Sequence, residues 1–182
     1  MLLSYEECIK KYQSDYQIKK QIANEKLYKI EKGVYSTEKY VSELEIIMLK
    51  YPKAVLTMNT ALYMQGLTEV IPDQYYMSTD KDDSKITDKR VKQCFEQPDY
   101  MYVGMEDKEY QGSQVKIYSK ERLLIEVIRN KNKLPYDYYK EIIGNYRKII
   151  YDLDIEVIQE YASSFPKSKM IGEVVEFGET HY

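Results

Sequence analysis

Histidine, tryptophan and cysteine are almost missing from this chain of 182 residues, which has one His, no Trp and two Cys. His181 is the next-to-last residue, and a fraying chain end holds a catalytic imidazole poorly. Cys8 and Cys94 lie far apart, without a C-x-x-C spacing or a nearby His, and we interpret them as buried or free thiols. These scarcities argue against a Ser–His–Asp triad, a His-ligated metal site and a disulfide framework.

Long apolar runs are also missing, since none approaches the ~18 residues that a membrane-spanning helix needs. The opening letters MLLSYEECIKK contain too few apolar residues before the polar ones for a secretory signal. No Walker A sequence and no G-x-G-x-x-G occurs, which argues against a Gly-rich phosphate loop. With 43% hydrophobic and 31% charged residues, the composition is that of a globular protein. We therefore expect a cytoplasmic protein that does not associate with membranes and needs no cofactor.

Charge is distributed unevenly, although the net charge of −3 does not suggest a nucleic-acid binder. Residues 1–35 carry seven Lys and five acidic residues, a balance of +2, so the rest of the chain carries −5. This asymmetry permits DNA binding by the N-terminal segment without requiring it.

The first 36 residues have the order helix, helix, hairpin. Ser4 to Glu7 and Ser14 to Gln17 each resemble a capping box, and they predict helices that end near Tyr12 and Asn24. The stretch LYKIEKGVYS then predicts a hairpin, with Gly33 supplying the positive φ of its turn. This order predicts a small winged helix-turn-helix at residues 1–36.

Residues 37–182 predict a mixed sheet-and-helix domain, so the fold class is α+β. Pro52 ends a helix over 40–51, and Asn59 and Gly66 are the predicted N-cap and stop of a short helix. DKDDSKITDKR is a polar connection. Strands are predicted at 74–79, 100–105, 113–118 and within MIGEVVEF, and helices at 119–130, 135–150 and 154–165.

One face of the second helix carries residue types that can read base edges of DNA. Gln17, Lys20, Gln21 and Asn24 fall on that face; Gln and Asn pair with adenine, and Lys donates to guanine or to phosphate. Cationic residues of the hairpin are expected to hold the DNA backbone. An ordinary solvated face remains the alternative. The full set of predicted DNA contacts is Tyr16, Gln17, Lys19, Lys20, Gln21, Asn24, Lys26, Lys29 and Lys32.

Two patterns suggest metal chemistry, but an ordinary surface turn or loop is the favoured interpretation of both. Asp99, Glu106 and Lys108 have the letters of a PD-(D/E)xK nuclease core, but EDKEYQG is typical of a turn rather than of a buried strand. Asp80, Asp82 and Asp83 lack the preceding Gly-Ser turn of a nucleotidyltransferase, which favours a solvated loop. We therefore predict neither catalytic residues nor metal ligands.

Three blocks in order resemble the AbiEi-type antitoxins, the antitoxin halves of abortive-infection toxin–antitoxin pairs. They are the wing KGVY at 32–35, NTALYMQGLTEVIP at 59–72 and YSKERLLIEVI at 118–128. Thr60, Leu123 and Glu126 stand where the family usually has Ser, Thr and Asp. The likeness spans residues 4–165.

This resemblance implies a non-enzymatic protein that represses its own operon through the winged helix-turn-helix. It also implies that residues 37–182 counteract a nucleotidyltransferase toxin, with or without direct contact. One rival hypothesis is a protein-interaction module that does not bind DNA, and another is the nuclease. Arg122, a cation in the first turn of a helix, is expected to have a specific partner. The sequence leaves the oligomeric state open.

Overall fold

The computed structural model describes residues 1–166 together with Gly172. Two compact units make up this part of the chain. The first consists of residues 1–53 and 109–114, and the second of residues 54–108 and the described residues from 115 onward. Helices and two separate sheets occur in it, which confirms the α+β class. The first unit extends beyond the module predicted at 1–36 because a further helix packs against the first strand.

The first unit is built around a three-stranded antiparallel sheet with the strand order β1-β3-β2. Leu3 pairs with Tyr35 in one ladder, and Lys29 pairs with Tyr35 in the other. The two predicted helices and the hairpin are confirmed, whereas β1 was not predicted. The elements are β1 (Leu2–Ser4), α1 (Tyr5–Tyr12), α2 (Asp15–Ala23), β2 (Tyr28–Glu31), β3 (Val34–Ser36) and α3 (Glu43–Lys50).

Local capping explains where α1 and α2 begin. The Ser4 hydroxyl accepts from the Glu7 amide at 3.2 Å, and the Glu7 carboxylate accepts from the Ser4 amide at 2.7 Å, which completes the predicted capping box. Ser14 caps α2 by accepting from the Gln17 amide at 3.3 Å. Between the two helices Gln13 has φ 67°, the left-handed conformation that ends many helices. The chain therefore turns from α1 into α2 within two residues.

The core of this unit lies between the two helices and the sheet. Its buried members are Leu3, Cys8, Ile18, Leu27 and Tyr35, and Ile9, Tyr12 and Ile22 pack against them. Burial raises the pKa of the Cys8 thiol, so this cysteine stays protonated and acts as a small apolar residue.

Most of a five-stranded mixed sheet with the order β6-β5-β4-β8-β7 belongs to the second unit, while the tip of its β7–β8 hairpin, residues 109–114, is assigned to the first. β4 is antiparallel to β5 and parallel to β8, and β5 is parallel to β6. The helix α6 packs on α4 and α8. From residue 55 onward the strands and α-helices are β4 (Val55–Leu56), α4 (Met58–Met64), β5 (Tyr75–Asp80), β6 (Val91–Glu96), α5 (Pro98–Met101), β7 (Met105–Tyr110), β8 (Ser113–Tyr118), α6 (Lys120–Arg129), α7 (Tyr136–Lys148) and α8 (Ile155–Ser163).

Several expectations for this unit were wrong. The strand predicted at 100–105 is the end of α5, which Pro98 opens, followed by a turn in which Gly104 has φ 71°. EDKEYQG is mostly strand β7 instead of a turn, and β6 was not predicted. Thr57, not Asn59, is the N-cap of α4. The strand within MIGEVVEF falls, apart from Gly172, outside the described residues.

Candidate nucleic-acid interface

The solvent face of α2, together with its C-cap Asn24, presents most of the predicted reading residues. Gln17, Lys20 and Asn24 are exposed, and Gln21 is half-buried, while Ile18 on the opposite face belongs to the core. The structure thus brings these four side chains onto one face, as the 3.6-residue period requires.

The remaining predicted contacts surround this face. Tyr16 is 72% exposed on the first turn of α2, and Lys19 is exposed on the same helix. Lys26 lies between α2 and β2, Lys29 on β2, and Lys32 in the hairpin turn, and all three are exposed. A bulge between Lys29 and Glu31 interrupts the regular pairing of the hairpin.

The five lysines of this surface carry uncompensated charge. None of Lys19, Lys20, Lys26, Lys29 and Lys32 forms an ion pair with any residue that the structure describes. Glu31 is the acidic residue nearest to Lys32 in sequence, and it is engaged by Lys50 at 2.8 Å instead. Five hydrated ammonium groups on α2 and the hairpin are therefore available to an anionic partner.

One acidic side chain occurs in the first turn of α2, where it would oppose a phosphate. Asp15 accepts a hydrogen bond from the Tyr5 hydroxyl at 3.0 Å. This hydrogen bond raises the pKa of Tyr5, so the hydroxyl keeps its proton at neutral pH. The carboxylate is thereby held toward α1 rather than left without a partner.

The second unit contains a different charged cluster, which is internally neutral and buried apart from the half-buried Arg129. Arg122 is fully buried and contacts the carboxylates of Glu96 at 3.2 Å and Glu126 at 2.9 Å. Arg129 contacts the same two carboxylates, at 2.9 Å and 2.7 Å. We call these four residues the Arg–Glu cluster. The expectation that Arg122 has a specific partner is confirmed.

Backbone and aromatic groups complete the shell of Arg122. Its Nη1 donates to the carbonyl oxygens of Tyr100 at 2.6 Å and Val103 at 2.7 Å. The guanidinium lies 4.2 Å from the centroid of the Tyr118 ring and 4.5 Å from that of Phe165. With both carboxylates and both carbonyls engaged, Arg122 has no donor directed at solvent or ligand, so its role is structural.

The surroundings of the cluster shift two pKa values in opposite directions. Burial works to raise the pKa of Glu96, but the hydrogen bond from Arg129 and the two guanidinium charges outweigh it and lower that pKa. Burial raises the pKa of Tyr118 to about 12, and its hydroxyl donates to the Met101 carbonyl at 2.7 Å. Both groups therefore keep one protonation state near neutral pH.

The residues of the nuclease hypothesis occupy two different elements. Asp99 lies in α5, whereas Glu106 and Lys108 lie on β7. The side-chain amide of Gln65 bridges the latter two, donating to Glu106 at 2.7 Å and accepting from Lys108 at 2.7 Å. The contacts of Glu106 and Lys108 are thus made within the fold. Sequence reasoning had not assigned any role to Gln65.

The acidic stretch after β5 forms its own turn. The Asp82 amide donates to Asp80 at 2.9 Å, and the Asp80 amide donates to Asp83 at 3.2 Å. Within residues 1–166, no three His, Cys, Asp or Glu side chains converge as metal ligands would. Even the longest helix of that range, α7 with 13 residues, falls short of the length and hydrophobicity that a membrane-crossing helix needs.

Comparison with protein-family models and with curated proteins found no match for this chain. The candidate interface on α2 and the hairpin therefore rests on its residues and their placement.

Proposed function

We propose that this protein is a DNA-binding autorepressor that also serves as the antitoxin of a toxin–antitoxin operon. The observation that carries the DNA-binding part is the set of five unpaired, exposed lysines around the polar face of α2. Residues 16–32 would contact operator DNA, and no catalytic step is assigned to the protein.

The order of elements supports a winged helix-turn-helix. Two helices joined by a tight turn form the helix-turn-helix, and its second helix enters the major groove. Here α1 and α2 are joined through Gln13 and Ser14, and both pack on the β1-β3-β2 sheet through Cys8 and Ile18. In this proposal α2 is the recognition helix and the hairpin β2–β3 is the wing, although only two helices precede it.

Electrostatics favour DNA over a protein partner for this surface. A duplex carries one negative charge for about every 1.7 Å of its axis, so lysines spread along a helix and a hairpin each find a phosphate. Their charge is not neutralised by neighbours, and binding would release counterions rather than break internal ion pairs.

The test is fluorescence anisotropy with DNA from upstream of the protein's own gene and with a scrambled duplex, at two salt concentrations. We expect tighter binding to the native DNA, weaker binding at higher salt, and loss of the preference in the double variant Lys20→Ala/Gln21→Ala. A matched control, Lys85→Ala/Gln159→Ala, removes the same residue types from exposed positions in the second unit and should bind like the wild type. Equal or absent binding to both duplexes would refute the repressor proposal.

The antitoxin part is supported by the resemblance of NTALYMQGLTEVIP and YSKERLLIEVI to the AbiEi-type blocks. These blocks meet in the second unit, where the Gln65 side chain donates to the Tyr118 carbonyl at 3.0 Å. We expect co-expression to restore growth arrested by the nucleotidyltransferase encoded in the same operon. Lys20→Ala/Gln21→Ala should retain this rescue, since both residues lie in the first unit. Failure of the wild type to rescue growth would refute the antitoxin part alone.

A further inference from the structure

Three side-chain amides, two on α2 and one at its C-cap, are free to bind a ligand. Gln17 and Asn24 are exposed and Gln21 is half-buried. None of the three side chains makes a hydrogen bond to any residue that the structure describes. In contrast, the amides of Gln65 and Gln93 in the second unit are both hydrogen-bonded within the fold. We call the set Gln17, Gln21 and Asn24 the amide stripe.

The length of the amide stripe is comparable with a few base-pair steps of a duplex. At 100° per residue the three positions fall within about 60° of one another on the helix. From Gln17 to Asn24 the helix rises about 10 Å, which equals the rise of about three base pairs along one strand. A recognition helix in the major groove would thus present its three amides within about four successive base pairs.

Amide chemistry selects one base. The side-chain NH₂ of Gln or Asn donates to adenine N7 while its carbonyl oxygen accepts from the adenine N6 amino group. Guanine offers two acceptors at the same edge and suits Lys or Arg instead. Resting on the function proposed above, we propose that the amide stripe reads adenines, so that the operator half-site contains about three A·T pairs in the groove facing α2.

Lys20 lies on the same face, between Gln17 and Gln21 in sequence, and as a cation it could compete for base reading. A lysine on this face can reach either guanine or phosphate. Because three amides on this face already contact bases in our proposal, we assign Lys20 to a phosphate contact. Removal of guanine N7 should therefore leave affinity nearly unchanged.

The experiment uses the wild-type protein and the duplex upstream of its gene in three forms. One form is unmodified, one has 7-deazaadenine for every adenine, and one has 7-deazaguanine for every guanine. Each modified base pairs normally but lacks the N7 acceptor in the major groove. We expect about a tenfold or greater loss of affinity for the 7-deazaadenine duplex and less than about twofold for the 7-deazaguanine duplex.

A triple variant assigns the effect to the amide stripe. Gln17→Ala/Gln21→Ala/Asn24→Ala should bind weakly and should not distinguish the unmodified from the 7-deazaadenine duplex. Gln159→Ala, an exposed amide on a helix of the second unit, should behave as the wild type. Circular dichroism would show whether the triple variant is folded. If it is not, the binding of the wild-type protein to the three duplexes still tests whether adenines are read.

The outcomes separate this proposal from the proposed function. Wild-type binding that is insensitive to 7-deazaadenine would overturn adenine reading and leave DNA binding standing. A larger loss with 7-deazaguanine would also overturn it, in favour of guanine reading by Lys20. Absence of binding to all three duplexes would overturn both proposals.

Discussion

The surface formed by α2 and the hairpin and the Arg–Glu cluster of the second unit hold positive charge in opposite ways. In the first unit, Lys29 and Lys32 are exposed, and neither is paired with a described residue. In the second, Arg122 is fully buried between two carboxylates, and Arg129 shares both of them. Buried charge must be neutralised locally, whereas hydrated charge remains available to a polyanion. The exposed lysines therefore remain available to an anionic partner, whereas the buried Arg122 stabilises the second unit.

The largest expected effect is the loss of Arg122. Arg122→Ala leaves Glu96 and Glu126 with one guanidinium between them in a buried site, and we expect the free energy of unfolding to fall by about 3–5 kcal/mol. Urea denaturation followed by circular dichroism measures the change. The control Arg147→Ala removes an exposed arginine from α7 and should alter stability by no more than about 0.5 kcal/mol. Similar small effects for both would contradict a stabilising role of the Arg–Glu cluster.

The next largest effect concerns two glycines with left-handed backbones. A Cβ on Gly104 would lie 2.5 Å from Arg122 Cβ and 2.9 Å from the Tyr161 ring, whereas a Cβ on Gly33 would meet nothing within 4 Å. Alanine should cost about 1–2 kcal/mol at either site for the backbone conformation. At Gly104 overpacking should add a further ~1–3 kcal/mol. Thermal unfolding of the two variants tests the difference, and equal losses would show that the crowding at Gly104 is relieved without cost.

An intermediate effect is expected when hairpin charge is removed. Lys29→Ala/Lys32→Ala should weaken binding to native and scrambled DNA alike, and it should reduce the slope of log K against log salt by about 1.8, or 0.9 for each phosphate contact. Anisotropy titrations at several salt concentrations measure the slope. Lys85→Ala/Lys89→Ala, the matched exposed pair in the second unit, should leave the slope unchanged. A changed slope in that control pair would place the DNA contact elsewhere.

The smallest effect appears at acid pH and again separates the units. Because the folded-state pKa of Glu96 is lowered from 4.5, its ionised form stabilises the fold above pH 4.5, and this stabilisation is lost as pH falls through the lowered pKa. Glu96→Gln should remove this part of the pH dependence of the urea midpoint. The exposed Glu38 also has a lowered pKa, through its hydrogen bond with the Met1 amino group. Because solvent screens this exposed pair, Glu38→Gln should flatten the acid part of the profile less than Glu96→Gln does, and an equal or larger effect there would contradict the comparison.

Local signals in the sequence were sufficient for the elements of the candidate interface. Two N-cap serines, Ser4 and Ser14, and the turn glycine Gly33 act within a few residues, and the helices and hairpin they predict are present. The polar face of α2 follows from helix periodicity alone. That its lysines lack ion pairs depends on residues distant in sequence, such as Lys50 engaging Glu31, and periodicity carries no such information.

Most of the structural features that the sequence did not predict depend on contacts between residues distant in sequence. The i,i+4 spacing of Arg122 and Glu126 is visible in the sequence, but Glu96 joins them from a strand that was not predicted. Strand β7 was missed because MEDKEY is rich in charge, and its extended form depends on the neighbouring β8. β1 has three residues, too few to show alternation.

The charged strand β7 lies at one end of the sheet order, and this affects how molecules associate in solution. Glu106, Asp107 and Lys108 alternate across its two faces, so a strand from another molecule would have to cover charged groups of both signs. At the opposite end, β6 carries the exposed ring of Phe95. Among the described strands, the charge on β7 therefore disfavours the addition of a foreign strand at that end of the sheet more than at the β6 end.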